Sequence, residues 1–151
     1  MSHIRKKAAA GLKVGDSFTI SRTFSEEDSL AFGEISRDHN PVHYDDRFAD
    51  AKDLQGKICH GLLVGGMITE VGGQIGWLAS GMNFRFRRPV YFGDTITCVF
   101  TLSELDDRNR AKAEAVLSNQ HGEIVIEAWL TGVLPLPAEQ EILASLLDQR
   151  S

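Results

Sequence analysis

Hydrophobic and polar residues alternate in "DSFTISRTF", with Phe18 and Ile20 on one side, which is the pattern of a half-buried strand. The period then changes. Ser25 precedes an acidic first turn in "SEEDSLAFGEI", with Asp28 three residues on, so the spacing predicts an N-capped short helix whose buried stripe is Leu30, Ala31 and Ile35. From Asp45 to Lys57 the chain is polar, with Phe48, Ala49 and Leu54 as anchors, and reads as loop plus a short helix. "CHGLLVGGMITEVGGQIGWL" is apolar on nearly every side and predicts a helix buried all round. Period two returns in the second half. Phe84 and Phe86 share a face in "NFRFRRPVYFGD", as do Ile96, Cys98, Phe100 and Leu102, and then Ile124, Ile126, Ala128 and Leu130. "AKAEAVL" suits helix or strand by propensity. Its flanks, "DDRN" at 106–109 and "NQHG" at 119–122, are tight-turn compositions that favour a strand in a meander of hairpins. After Pro137, Ile142, Leu143, Leu146 and Leu147 fall at helical spacing and predict an amphipathic helix over about 138–149.

One strand, then helices, then four antiparallel strands make an α+β domain, with the apolar helix wrapped by the sheet because only that leaves no face wet. The pattern reads as one domain over 1–151, with its core over about 12–134. Such a sheet has edges, and dimerisation that continues it would cover one. Within the buried helix, Gly61, Gly65, Gly72 and Gly76 line up on one face. Each glycine costs about 1 kcal/mol relative to alanine in a helix interior, so the stripe implies close approach of a backbone or a ligand. Its G-x-x-x-G spacings also occur in membrane helices. The span from His60 to Trp77 holds only about 18 residues, including Glu70 and Gln74, against the ~20 apolar residues a bilayer requires. No membrane association is expected.

Composition adds constraints. The 151 residues are 42% hydrophobic and 25% charged, ordinary globular usage. The formal net charge of -5 disfavours nucleic acid, because phosphate neutralisation needs clustered lysine and arginine. Arg5, Lys6 and Lys7 resemble the start of a signal peptide, but "AAAGLKVGD" follows where an apolar run is needed. Cys59 and Cys98 lack CxxC spacing and read as buried thiols of a reducing compartment, the cytoplasm or an organelle matrix, with cytoplasm the expected location.

The chemistry concentrates in "SRDHNPVHYDD", Ser36 to Asp46. Asp38 and His43 flank the Asn40-Pro41 turn five residues apart, so their side chains can converge on one point. A carboxylate and an imidazole sharing one water can exchange protons with it near neutral pH. On spacing alone, Asp38 equally suits a backbone cap and His43 a core or surface histidine. A metal site of His39, His43 and His60 is weaker, since Pro41 breaks the helix that would align the first two.

"RDHNPVHYDDRFA", followed by "CHGLLVGGM", resembles the hydratase motif of the MaoC-like, (R)-specific enoyl-CoA hydratases. That motif runs Asp-x-Asn-Pro-x-His and then, roughly fifteen to twenty residues later, His-Gly at the start of a long helix. "FRFRRPVYFGD" is similar to a strand of the same family, and the resemblance covers roughly residues 12–134. It implies the hot-dog fold, a long helix wrapped by an antiparallel sheet, in a homodimer or higher assembly of dimers. It implies a lyase that reversibly hydrates a trans-2-enoyl-CoA thioester to the (R)-3-hydroxyacyl form, with neither metal nor redox cofactor. Asp38 and His43 would activate the water, Asn40 and Pro41 would hold the turn, and the N–H of Gly61, next to His60, would receive the carbonyl charge. Thr69 falls where the family can carry a hydroxyl. Leu62, Leu63 and Met67 are candidates for an acyl tunnel or for core, and Arg85, Arg87 and Arg88 for coenzyme A phosphates or a solvated face. His39, Asp45 and Asp46 are expected to stand aside. The competing readings are a 3-hydroxyacyl-[acyl-carrier-protein] dehydratase, an acyl-CoA thioesterase and a non-catalytic acyl-CoA binding module.

Overall fold

The computed structural model describes residues 3–147. Strand β1 (Ser17–Thr23) opens the sheet, and helix α2 (Glu26–Ser36) follows it, after a short α1 (His3–Ala10). Ser25 and Asp28 form the expected reciprocal capping box, with the Ser25 hydroxyl accepting from the Asp28 N–H and the Asp28 carboxylate from the Ser25 N–H. The face that α2 buries differs from expectation. Leu30 and Ile35 are 48% and 84% exposed, and Ala31 is exposed as well, while Ser29 and Gly33 are buried. The reason is what lies beneath: the Ser29 hydroxyl meets the His60 ring, and a Cβ on Gly33 would overlap the Tyr44 hydroxyl. Only small side chains fit there.

A 3-10 turn (Pro41–His43) and helix α3 (Asp46–Ala51) lead to the apolar segment, with Ala49 fully buried as an anchor. That segment forms α4 (Gly61–Gly65) and α5 (Met67–Ile75), joined at Gly66, whose N–H still bonds the carbonyls of Leu62 and Leu63. It starts later than its apolar run suggests, because Ile58 bridges to Tyr91 and the Cys59 N–H bonds the Val90 carbonyl in extended form. It ends at Gly76, whose φ of 72° is the left-handed conformation that glycine adopts without a side-chain clash. α1 was not foreseen from sequence and seals this end. Arg5 donates to the carbonyls of Gly73 and Gln74, where a cation complements the helix dipole.

Strands β2 (Leu78–Phe86), β3 (Thr95–Leu105), β4 (Arg110–Ser118) and β5 (Ile124–Val133) complete an antiparallel sheet in the order β1-β3-β4-β5-β2. The chain leaves at one edge, β1, and re-enters at the other, β2, so the helical segment between them must cross the sheet. Val64, Met67, Ile68, Val71 and Ile75 of the helix bury against Ile96, Cys98, Phe100, Leu102, Ala113, Ala115, Leu117, Ala128 and Leu130 of the sheet. The expected face of β3 is the one observed, and the ambiguous "AKAEAVL" lies in strand β4, as its flanking turns favour. In β5, Ile124 turns out to be 40% exposed and Val125 buried, because a register shift between Leu117 and Ser118 flips the strand's first residue. Helix α6 (Pro137–Ser145) buries Leu143 but leaves Ile142 62% exposed. The expected end of that helix, at 148–149, lies outside the described residues.

The helix-to-β2 corner is tightly packed, with Trp77 edge-on to Phe100 at 5.9 Å. A Cβ on Gly132 would meet the Trp77 ring at 2.5 Å and the Leu78 carbonyl oxygen at 2.7 Å, and the backbone atom cannot swing aside. Gly132→Ala is therefore expected to destabilise the protein by about 2–3 kcal/mol. A thermal melt should show a fall in Tm of roughly 4–10 °C; an unchanged Tm would contradict this packing.

Candidate active site

The turn that carries Asp38 is built locally. Arg37 ends α2 in the left-handed conformation, with φ of 58°, and sends the chain back across the helix end. Asn40 then caps the 3-10 turn by accepting from the Val42 N–H at 3.2 Å, while its own N–H donates to Asp38 Oδ1 at 3.1 Å. Pro41 occupies the first position of that turn, where its missing N–H costs nothing. The Asp38 carboxylate is thereby tied to the turn, half exposed, with Oδ2 3.7 Å from Nε2 of His43.

His43 is buried, and its Nδ1 donates to the Ile58 carbonyl at 2.8 Å. A carbonyl only accepts, so the Nδ1 proton is committed and the neutral ring presents the Nε2 lone pair toward Asp38. Burial holds the His43 pKa below the ordinary 6.5. The Ile58 carbonyl and the Asp38 carboxylate oppose that shift, and His60 reinforces it. At neutral pH His43 is a proton acceptor. The 3.7 Å gap exceeds a direct hydrogen bond but suits one water lying about 2.8 Å from each atom.

Both groups open onto a cleft of about 720 Å³ between α2, α4 and the end of β2. Its wall is largely apolar, with Phe32, Val42, Ile58, Val64, Phe86 and Ile126. Gly61 begins α4 on this wall, ahead of any intrahelical acceptor for its N–H. The Phe86 ring rests on it, and the Phe84 ring, stacked on Phe86 at 5.9 Å, rests on Gly65. That is the close approach implied by the first half of the glycine stripe.

The other expected site residues divide. Leu62 lines the cleft, whereas Met67 is buried in the core and Leu63 packs against that core. Thr69 lies on the far side of the helix with its hydroxyl bonded to the Gly66 carbonyl at 2.6 Å, away from Asp38 and His43. Arg87 and Arg88 reach the cleft, each ion-paired, with Glu127 at 2.8 Å and Glu123 at 3.3 Å. Arg85 is exposed on β2 and does not line the cleft. Asp45 caps α3 and pairs with Arg47, which holds its pKa down to about 2; Asp46 sits in the first turn of α3, and His39 is exposed. Cys59 lines the cleft, but burial pushes its thiol up to about 12, which leaves it protonated and a poor nucleophile.

Asp38, His43 and His60 bring potential metal-binding atoms within 4.8 Å of one another. Their bonds argue against an ion. Both nitrogens of His60 are engaged, Nδ1 with the Ser29 hydroxyl at 2.8 Å and Nε2 with the Asp38 carbonyl at 2.9 Å, and the ring stacks face to face on His43 at 3.8 Å. His39, the third ligand considered from sequence, is not in this group. Ser29, Gly33 and Tyr44 were missed. Their only trace in the sequence is small or polar character, and the partner of Ser29 lies 31 residues away.

Residues 8–123 match the family model described as MaoC like domain. The chain belongs to that family. Members of it include hydratases and dehydratases, and the fold is the hot-dog fold. The chain is 33% identical to the mitochondrial 3-hydroxyacyl-[acyl-carrier-protein] dehydratase of Arabidopsis thaliana, over 82% of this chain and 78% of that protein. It is 30% identical to the (R)-specific enoyl-CoA hydratase of Rhodospirillum rubrum, over 82% of this chain and 89% of that protein. Among solved structures, the unliganded R-hydratase PhaJ1 of Pseudomonas aeruginosa superposes with a TM-score of 0.77 at 29% identity, covering 84% of each chain. Among the described residues of this MaoC-like protein, no helix is long and apolar enough to cross a membrane.

The Tyr44 hydroxyl stands 3.4 Å from both the Asp38 carbonyl and His60 Nε2, in the space that Gly33 leaves. Gly33→Ala is expected to push Tyr44 out and lower stability by about 1–3 kcal/mol. Adding Tyr44→Phe removes the overlapping hydroxyl and should restore part of the loss, visible as non-additive urea midpoints. Strictly additive effects would show that the two positions do not touch.

Proposed function

We propose that this protein is a lyase that adds water to a trans-2-enoyl-CoA, giving the (R)-3-hydroxyacyl-CoA, and catalyses the reverse dehydration. One observation carries this reading: the carboxylate of Asp38 and the free Nε2 of His43 face one apolar cleft, at water-bridging separation, beside the first N–H of a helix. His43 Nε2 takes a proton from the water, Asp38 accepts the hydrogen bond of its other proton, and the hydroxyl oxygen bonds to C3. The thioester carbonyl gains negative charge as C2 becomes nucleophilic, and the Gly61 N–H stabilises it together with the helix dipole. The proton held on His43 then passes to C2, so one water is added and both residues return to their starting states. The names of the relatives support the (R) product and an acyl thioester substrate.

The arginines at the cleft mouth are paired with glutamates, which disfavours a bare basic patch for an acidic carrier protein and supports coenzyme A as the carrier. The same reading pairs two copies through β2, an edge strand whose residues are exposed except Phe84, with Leu78 at 74%, Met82 at 40% and Phe86 at 55%. Light scattering should give twice the 16.7 kDa chain mass, and a monomer at micromolar concentration would refute that pairing.

Hydration of crotonyl-CoA, followed by the loss of its enoyl absorbance, tests the chemistry. Asp38→Asn and His43→Ala are each expected to lower turnover by at least ~10²-fold. Gly61→Ala, whose Cβ would lie 2.7 Å from the Phe86 ring and obstruct the carbonyl, should cost roughly 10-fold or more. Wild-type rates in the Asp38 or His43 variant, faster turnover of the matched carrier-protein thioester, or release of free thiol in place of hydration would each overturn the reading.

A further inference from the structure

His60 is 1% exposed and lines no part of the cleft, yet it touches both members of the reacting pair. Its Nε2 lies 2.9 Å from the backbone carbonyl oxygen of Asp38. A carbonyl cannot donate, so Nε2 carries the proton. With the ring proton on Nε2 alone, Nδ1 is an acceptor, and the hydroxyl of Ser29, itself 1% exposed and 2.8 Å away, donates to it. The face of the ring lies on His43 at 3.8 Å and 25°. With both nitrogens bound to protein, His60 has no polar atom left for substrate or for an ion. Whatever it does for the reaction it does by holding other groups.

We propose that His60, fixed in one tautomer by Ser29, is a positioning residue that sets the spacing of Asp38 and His43. It grips the main chain of the first and the ring plane of the second. The proposal rests on the hydration reading only for what the pair does once aligned. Three chain segments meet at this ring: Ser29 from α2, Asp38 from the turn that follows α2, and His60 from the start of α4. Asp38 is otherwise half exposed and hangs on a short turn, so the partly buried bond from its carbonyl to the His60 ring is its anchor to the interior. A misplacement of about 1 Å in such a pair costs on the order of 10²-fold in rate.

The stack also bears on the base. His43 is faced by the Asp38 carboxylate at 3.7 Å, by the His60 ring, and by Tyr44 edge-on at 6.3 Å, while Arg87 and Arg88 of the cleft wall are neutralised by Glu127 and Glu123. The ring of His60 excludes water from one face of His43. Loosening that ring lets water reach the imidazole and restores part of its ordinary affinity for a proton.

Ser29→Ala, a small change at a buried position, is the test. Nitrogen NMR of the imidazoles in the wild type should show His60 protonated on Nε2 and His43 on Nδ1. In Ser29→Ala, His60 should become a mixture of tautomers and the His43 resonances should move with it. Turnover of crotonyl-CoA should fall roughly 10- to 100-fold with KM changed less than about 3-fold, and the acid limb of the kcat/KM profile should move to higher pH. Ser29→Thr, which keeps the hydroxyl, should retain the single His60 tautomer. A wild-type His60 protonated on Nδ1 would overturn the proposal. So would a Ser29→Ala protein that loses thermal stability while its kcat and acid limb stay put, which is the behaviour of a packing residue. A wild type inactive on every enoyl thioester sinks the hydration reading alone, because the coupled shift of His43 in the Ser29→Ala spectrum still decides the positioning claim.

Discussion

The segment expected to be a helix buried all round is buried along one side only, with Leu62, Thr69, Glu70 and Gly73 exposed, and on the buried side the glycines of α4 and α5 set how closely its neighbours approach. Gly61 and Gly65 accept the rings of Phe86 and Phe84, and Gly72 lies against Trp77. Those aromatic residues belong to β2 and to the turn before it, so the helix start and the edge strand are locked in register. The cleft is the space left at the end of that contact, where β2 stops and the 3-10 turn begins. Its apolar wall and its helix N-terminus follow from the same packing. No separate element is needed to bring an apolar surface next to a free N–H.

Behind the cleft the interior is polar, and every side chain buried there has a partner. Burying two imidazoles in contact would be costly if either lacked one, since an unsatisfied buried polar group loses its hydration without compensation. His43 spends Nδ1 on the Ile58 carbonyl, and His60 spends both nitrogens on Asp38 and Ser29. The one atom left over is Nε2 of His43, and it faces the cleft. The hydrogen-bond accounting of the back wall therefore selects which atom is available for proton transfer. Burial keeps that atom a base near neutral pH by opposing the charged form.

Much of this was legible in the sequence because some patterns have a single physical reading. Ile96, Cys98, Phe100 and Leu102 alternate without interruption, and all four are fully buried. Asp38 and His43 could converge across the Asn40-Pro41 turn, but spacing alone left a backbone cap and a core histidine open, and the family resemblance was what favoured the pair. The misreadings have specific causes. Leu30 and Ile35 look like the inner face of α2, but helical spacing does not reveal that the neighbouring layer is a histidine and a tyrosine that accept only Ser29 and Gly33. Ile124 follows the alternation of its strand, which a register shift beside Ser118 breaks. The apolar run from Cys59 suggested a longer helix, but Ile58 and Cys59 pair with the stretch around Val90 and Tyr91, a contact no local pattern encodes.

The inverted face of α2 links these threads. A helix that buried Leu30 and Ile35 would bring two branched side chains down on His60, and the Ser29 hydroxyl and the Tyr44 phenol would then have no room at the ring. His60 Nδ1 would be left without a donor inside the protein, at a cost of about 1–3 kcal/mol, and the carbonyl of Asp38 would lose its partner. The helix instead turns its small residues inward and leaves its apolar ones exposed. Local burial is given up on the surface so that a hydrogen-bonded ring can sit beneath. The same packing accounts for Gly33, whose absent side chain admits the Tyr44 hydroxyl to the network.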